Sequence, residues 1–246
     1  MNRRPIAAAA LAAAMTLTGA CEYTAAARTA GPAAPAAKSP RATGSPTAAP
    51  RTTAPPRRFD EAGFDEDLRT ATAITDGYWR RHWTRFFTGS YRSPRVVGLY
   101  DGADPAATPT CGGEPLERDN AEYCPAGDFL AWDAHLMRAG YANGDAWVYL
   151  VVAHEWGHAV QNRLQRRLVS AAAELQADCL AGAVLYGSAA DGDLTFEAGD
   201  AREIVDSFQV IGDRTPWTRP GDHGTASQRL QSFSRGGARG VPACFT

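Results

Sequence analysis

The chain offers no pair of cysteines at the C-x₂₋₄-C spacing of a thiolate metal site, which disfavours metal ligation by sulfur. It carries no basic patch. Its 25 Lys and Arg stand against 27 Asp and Glu, and a net charge of −2 argues against nucleic acid as a partner. It has no internal repeat, which removes the stacked-repeat architectures. No apolar run reaches the ~20 residues that a membrane-crossing helix requires. From Glu22 to about Arg58 large apolar residues are nearly missing, and such a segment cannot bury enough surface to offset its ordering entropy.

What is present at the start of the chain is an address. Arg3 and Arg4 precede an apolar core, Ile6 to Leu17, that is too short to span a bilayer. Leu17-Thr18-Gly19-Ala20-Cys21 then resembles a bacterial lipoprotein signal, with Thr18 where Leu is commonest and Cys21 as the lipidated first residue of the mature chain. A plain secretory signal is the alternative, and either places the protein outside the cytoplasm. Residues 1–20 are thus read as signal. Residues 21–58, rich in Ala, Pro and Thr, are read as a disordered, semi-stiff tether that holds a domain at residues 59–246 away from a membrane. Removing residues 1–20 also removes Arg3 and Arg4, so the mature charge is −2 − 2 = −4. With Cys21 lipidated, Cys111, Cys124, Cys179 and Cys244 remain, an even number suited to an oxidising compartment. Three pairings are open. Cys111–Cys124, closing a Gly/Pro-rich loop, and Cys179–Cys244, tying down the last residues, are favoured.

The chemistry is concentrated in His154-Glu155-Trp156-Gly157-His158, inside an apolar stretch that opens at Trp147. A helix turns every ~3.6 residues, so two histidines four apart share a face and can grip one Zn²⁺. Glu155 can then reach a water on the open side of the metal. Catalytic zinc usually takes three protein ligands. Glu174, on a second helix read over Ser170–Tyr186, would complete a His₂Glu set, and Asp178 shares its face and can accept the free ring N–H of a ligand histidine.

Elsewhere the periodicity predicts a helix from Phe59 to about Phe87 and a strand at Arg95–Tyr100. A loop is expected from Asp104 to Asn120, followed by short strands at Glu122–Cys124 and Phe129–Trp132. Phe129–Asp133 is the candidate edge strand that would hold an extended substrate beside the metal helix. His135 reads as a surface or packed histidine. A third helix is expected over Thr195–Val210, and Thr225-Ala226-Ser227-Gln228 fits a capping box that opens a last helix through Phe233. The pattern is an α+β domain, mainly helical with a small sheet.

Three ordered segments carry a resemblance: His154 to Gln161, Glu174 to Gly182, and His223-Gly224-Thr225-Ala226-Ser227-Gln228-Arg229. Together with Tyr123-Cys124-Pro125, they look like the putative neutral zinc metallopeptidase family of bacteria. The similarity covers roughly residues 90–246, and the stretch between Gln161 and Glu174 is shorter than that family's pattern leads one to expect. The resemblance implies a zincin-like domain with a gluzincin, thermolysin-like site and an endopeptidase acting on peptide or protein substrates with one Zn²⁺ per chain. His154, His158 and Glu174 would bind the metal, Glu155 would be the general base and Asp178 would orient a ligand. His223 is the candidate to stabilise the oxyanion, with Arg229 either sharing that task or pairing with a carboxylate. The rival reading is a catalytically inactive, zinc-stabilised binding module of the cell envelope.

Overall fold

The apolar run that ends in the His154 motif becomes a helix buried on nearly every side, and the remaining elements are laid around it. The computed structural model describes residues 59–216, 218–219 and 222–245. The expected signal, the tether and Cys21 lie outside the described residues. In chain order the elements are α1 (Glu61–Phe86), β1 (Arg95–Tyr100), β2 (Thr110–Cys111), β3 (Glu114–Pro115), β4 (Ala121–Cys124), β5 (Phe129–Asp133), α2 (Ala134–Tyr141), α3 (Ala146–Gln161), α4 (Ala173–Asp191), α5 (Asp200–Ile211) and α6 (Ala226–Arg239). Two 3₁₀ turns, Arg166–Leu168 and Val241–Phe245, complete the set. This is a mixed α+β domain with a small sheet. Among the described residues no helix is long and apolar enough to cross a membrane.

In α3 every residue but Tyr149 and His158 is buried, as befits a helix that is apolar all round. Its first N–H groups lack a side-chain cap from Asp145, and the Glu203 carboxylate of α5 accepts the Ala146 N–H at 3.3 Å instead. Trp79 of α1, Trp132 of β5 and Trp156 of α3 are all fully buried and belong to one apolar cluster that runs through the domain.

The sheet has the order β1-β5-β4, with β1 parallel and β4 antiparallel to β5. This corrects the expectation that Phe129–Asp133 is the edge beside the metal helix. That strand lies in the middle with all five residues buried, and β4 is the edge. The physical reason was visible. Phe129-Leu130-Ala131-Trp132 is a continuous apolar run without alternation, the mark of a strand covered on both faces. Other departures are local. The expected loop at 104–120 contains the short β2–β3 ladder. The helix α2 was not foreseen, although Asp133 caps it by accepting the N–H groups of His135 and Leu136. The third helix begins at Asp200 rather than Thr195.

Helix α6 opens with the capping box between Thr225 and Gln228 and continues past Phe233 to Arg239. It can do so because Gly182 and Gly236 let α4 and α6 cross backbone to backbone. A Cβ on Gly236 would lie 1.8 Å from the Cys179 carbonyl oxygen, and one on Gly182 would lie 2.0 Å from that of Phe233. Disulfides join Cys111 to Cys124 and Cys179 to Cys244, the two pairings favoured from the sequence.

The glycine crossing reverses an ordinary sign. Gly→Ala in an open helix interior stabilises by about 1 kcal/mol. At Gly236 the added methyl must displace backbone, an overpacking cost of about 1–3 kcal/mol. Gly236→Ala should therefore lower the urea midpoint of unfolding, and an unchanged or raised midpoint would contradict the close crossing.

Candidate metal centre

One helical turn separates His154 from His158 on α3, and their Nε2 atoms lie 3.2 Å apart. Each ring is tied at its other nitrogen. Nδ1 of His154 is 2.8 Å from Asp178 Oδ1, and Nδ1 of His158 is 2.9 Å from Gln161 Oε1. Both partners are acceptors, so in the neutral ring each Nδ1 carries the proton and each Nε2 presents a lone pair. A third acceptor converges there. Glu174 Oε2 lies 3.2 Å from His154 Nε2, and Oε1 lies 3.5 Å from His158 Nε2.

These residues fit a zinc ion on two counts. Three acceptors aimed at one point repel one another unless a cation or a proton sits among them. Metal–ligand bonds of about 2.0–2.2 Å in a tetrahedron place donor atoms about 3.3–3.6 Å apart, close to the separations found. Glu155 also lies within 4.8 Å of both imidazoles. However, its Oε2 accepts the Tyr123 N–H of β4 at 2.9 Å, and Glu174 approaches the ring nitrogens more closely.

The short link between α3 and α4 is braced by two buried glutamines. Gln161 Nε2 donates to the Ala173 carbonyl at 2.7 Å and to Gln176 Oε1 at 3.1 Å. Gln176 Nε2 in turn donates to the carbonyls of Leu168 at 2.8 Å and Cys244 at 3.0 Å. The helices approach closely where Gly157 meets Ala177. A Cβ on Gly157 would stand 3.0 Å from the Ala177 Cα. A small residue between the histidines is thus what lets the helix bearing Glu174 come near, and the connection closes without a longer loop.

Asp178 is fully buried and doubly engaged. Besides His154 it receives Arg229 of α6 in a bidentate pair, Nε to Oδ2 and Nη2 to Oδ1, both at 2.9 Å. Of the two tasks considered for Arg229, the structure gives it the pairing with a carboxylate. His223 lines the same cavity but is more than half exposed, with its backbone N–H donated to Asp213 Oδ2 at 2.8 Å. His135 stands apart on the surface against Asp119. The cavity, about 760 Å³, is walled by β4 on one side and by Trp147, Leu150 and Val151 of α3 on another.

Electrostatics follows from this wiring. Burial disfavours charge on His154, yet the Asp178 carboxylate and its hydrogen bond, with Glu174 behind them, raise its pKa from 6.5 to about 10. Whatever raises an imidazole's hold on a proton also raises its basicity toward a metal. Burial likewise opposes charge on His158, but the Glu174 hydrogen bond prevails and its pKa also rises. Burial raises the pKa of Glu155 in spite of the nearby imidazoles. Burial would raise Glu174 and Asp178 as well. The histidine contacts at Glu174, and His154 with Arg229 at Asp178, hold both below the usual carboxylate range.

The model of the putative neutral zinc metallopeptidase family matches residues 45–246. The chain is also similar to the uncharacterised protein YpfJ of Escherichia coli strain K12, 31% identical over 200 residues that cover 70% of this chain and 67% of that protein. The figures are the same for YpfJ of E. coli O6:H1 strain CFT073. No solved structure matches.

A pH experiment tests the wiring of His154. In chelator-treated protein the folded state holds the His154 proton more tightly than the unfolded chain does. That stabilisation is complete below about pH 6.5 and is lost as pH rises toward about 10. A zinc ion held by His154 would have to displace this proton, so the stability it would add grows over the same interval. Melting temperatures measured with zinc and with chelator should diverge as the pH rises. Parallel curves would contradict the assignment.

Proposed function

The chain belongs to the putative neutral zinc metallopeptidase family, and we propose that it is an extracytoplasmic zinc peptidase that hydrolyses internal peptide bonds. The observation that carries the reading is the convergence of His154 Nε2, His158 Nε2 and Glu174 within 3.5 Å of one another, beside a buried carboxylate on the same helix. His154, His158 and Glu174 would hold one zinc ion per chain in a zincin-like, gluzincin arrangement. Bound zinc lowers the pKa of a water toward about 7 and polarises a carbonyl.

The chain's own groups do the rest. Glu155, its basicity increased by burial, takes the proton of the attacking water and delivers it to the leaving nitrogen. Asp178, held by Arg229, keeps His154 in the tautomer that offers Nε2. His223 at the cavity wall donates to the oxyanion that develops on the carbonyl. The edge strand β4, whose Ala121, Glu122 and Tyr123 line the cavity, pairs with an extended substrate backbone. A run of strand rather than a pocket for a chain end favours an endopeptidase. A zinc-stabilised binding module has no use for a buried carboxylate beside an open coordination position, because structural sites are closed by four protein ligands.

The reading extends to location. A lipoprotein-type signal over residues 1–20, a lipid on Cys21 and a tether to residue 58 would hold the peptidase at the outer face of a cell membrane, with plain secretion as the alternative.

Glu155→Gln keeps the size of the side chain and an acceptor for the Tyr123 N–H. It should retain zinc while hydrolysis of denatured casein falls by at least roughly 10²-fold. Chelator should abolish cleavage by the unaltered protein. Full hydrolysis by Glu155→Gln, or cleavage indifferent to chelator, would overturn the mechanism.

A further inference from the structure

The Tyr123 side chain has no role in the chemistry above, yet Tyr123 touches α3 at two places. Its backbone N–H is held by Glu155, and its hydroxyl reaches the far end of the same helix. There Asn162 Nδ2 donates to the Tyr123 hydroxyl at 2.7 Å, and that hydroxyl donates to Asp128 Oδ1 at 2.8 Å. Arg163 closes the group. Its Nη2 binds Asp128 Oδ1 at 2.7 Å, its Nε the Arg92 carbonyl at 2.7 Å and its Nη1 the Ala159 carbonyl at 2.5 Å. Asp128 sits in the turn between β4 and β5 at a φ of +47°, and its carbonyl accepts the Arg95 N–H of β1 at 2.9 Å. Burial works against the Asp128 carboxylate, but the Tyr123 hydroxyl and Arg163 keep its pKa below the ordinary range.

The spacing is informative. Glu155 stands on α3, and Asn162 and Arg163 follow at i+7 and i+8, at its C-cap and in the turn just beyond, with about 10–12 Å of rise between the two points of attachment. An edge strand pinned to a helix at two points that far apart can neither slide along it nor rotate away. The Tyr123 N–H that the Glu155 carboxylate accepts is then fixed partly from outside the cavity: Asn162 lines it, but Asp128 and Arg163 do not.

We infer that Tyr123, Asp128, Asn162 and Arg163 form a clamp that positions Glu155 for proton transfer by locking the β4 edge against α3. The inference rests on the proposed role of Glu155 as base. Asp128 and Arg163 are positioning residues, acting on the reaction only through Tyr123 and Glu155. The clamp matters because a general base displaced by about 1 Å can lose on the order of 10²-fold in rate.

The test uses three variants of the zinc-loaded protein. Asp128→Gly removes the carboxylate while tolerating the positive φ. Asp128→Asn keeps an acceptor for the Tyr123 hydroxyl at a residue that also tolerates it. Tyr123→Phe keeps the ring in the core and deletes only the hydroxyl. Casein-peptide kinetics, zinc content and NMR exchange of the Tyr123 amide are measured together. Asp128→Gly and Tyr123→Phe should keep one zinc per chain, lose at least about 10-fold in kcat and expose the Tyr123 amide to exchange at least about 10-fold faster. Asp128→Asn should restore both values to within about 3-fold of the unaltered protein. Unchanged kcat and exchange in Asp128→Gly and Tyr123→Phe would overturn the clamp. So would equal losses in the Asn and Gly variants. If zinc-loaded unaltered protein cleaves no peptide, the hydrolytic reading fails by itself, and the Tyr123 amide exchange still decides whether the clamp holds that N–H on Glu155.

Discussion

The site depends on one constraint: both ring nitrogens that face away from it are committed to acceptors. With Nδ1 of His154 against Asp178 and Nδ1 of His158 against Gln161, neither ring can turn or change tautomer without stranding a buried polar group. The two Nε2 lone pairs are therefore forced toward one point, and Glu174 adds a third acceptor there. The cost of that crowding is met by a cation or a proton. Asp178 is itself neutralised by Arg229, which is why a carboxylate without any solvent exposure can persist in the core.

The packing exists to deliver those partners. The two helices bearing His154, His158 and Glu174 must lie nearly in contact, and Gly157 against Ala177 permits it. A third helix must bring Arg229 under Asp178, and the glycines at 182 and 236 allow α6 to press on α4. The bridge from Cys179 to Cys244 and the hydrogen bond from Gln176 to the Cys244 carbonyl tie the chain end to the start of α4, one turn from Glu174. Small residues and glutamines thus do as much for the geometry as the two histidines and Glu174 themselves.

Much of this was legible in residue spacing. The i, i+4 periodicity of His154 and His158, and of Glu174 and Asp178, places each pair on one face of its helix, and the capping box at Thr225 marks where α6 begins. Local pattern carries such features because they lie within a single element. What was not legible depends on partners distant in sequence. That Arg229 would pair with Asp178 follows only from the crossing of α4 and α6. That β4 rather than β5 forms the edge follows from a covering of both faces that the unalternating run at Phe129 implied but the reading passed over. The stations of Asn162 and Arg163, at i+7 and i+8 from Glu155, were available as a period but had no visible partner until β4 was in place.

Zinc K-edge absorption on the purified, zinc-loaded protein tests the central claim most directly. The account predicts one zinc per chain with two imidazoles and a carboxylate in a shell at about 2.0–2.2 Å and no sulfur. A chain that binds no zinc, or a sulfur shell at about 2.3 Å, would contradict it.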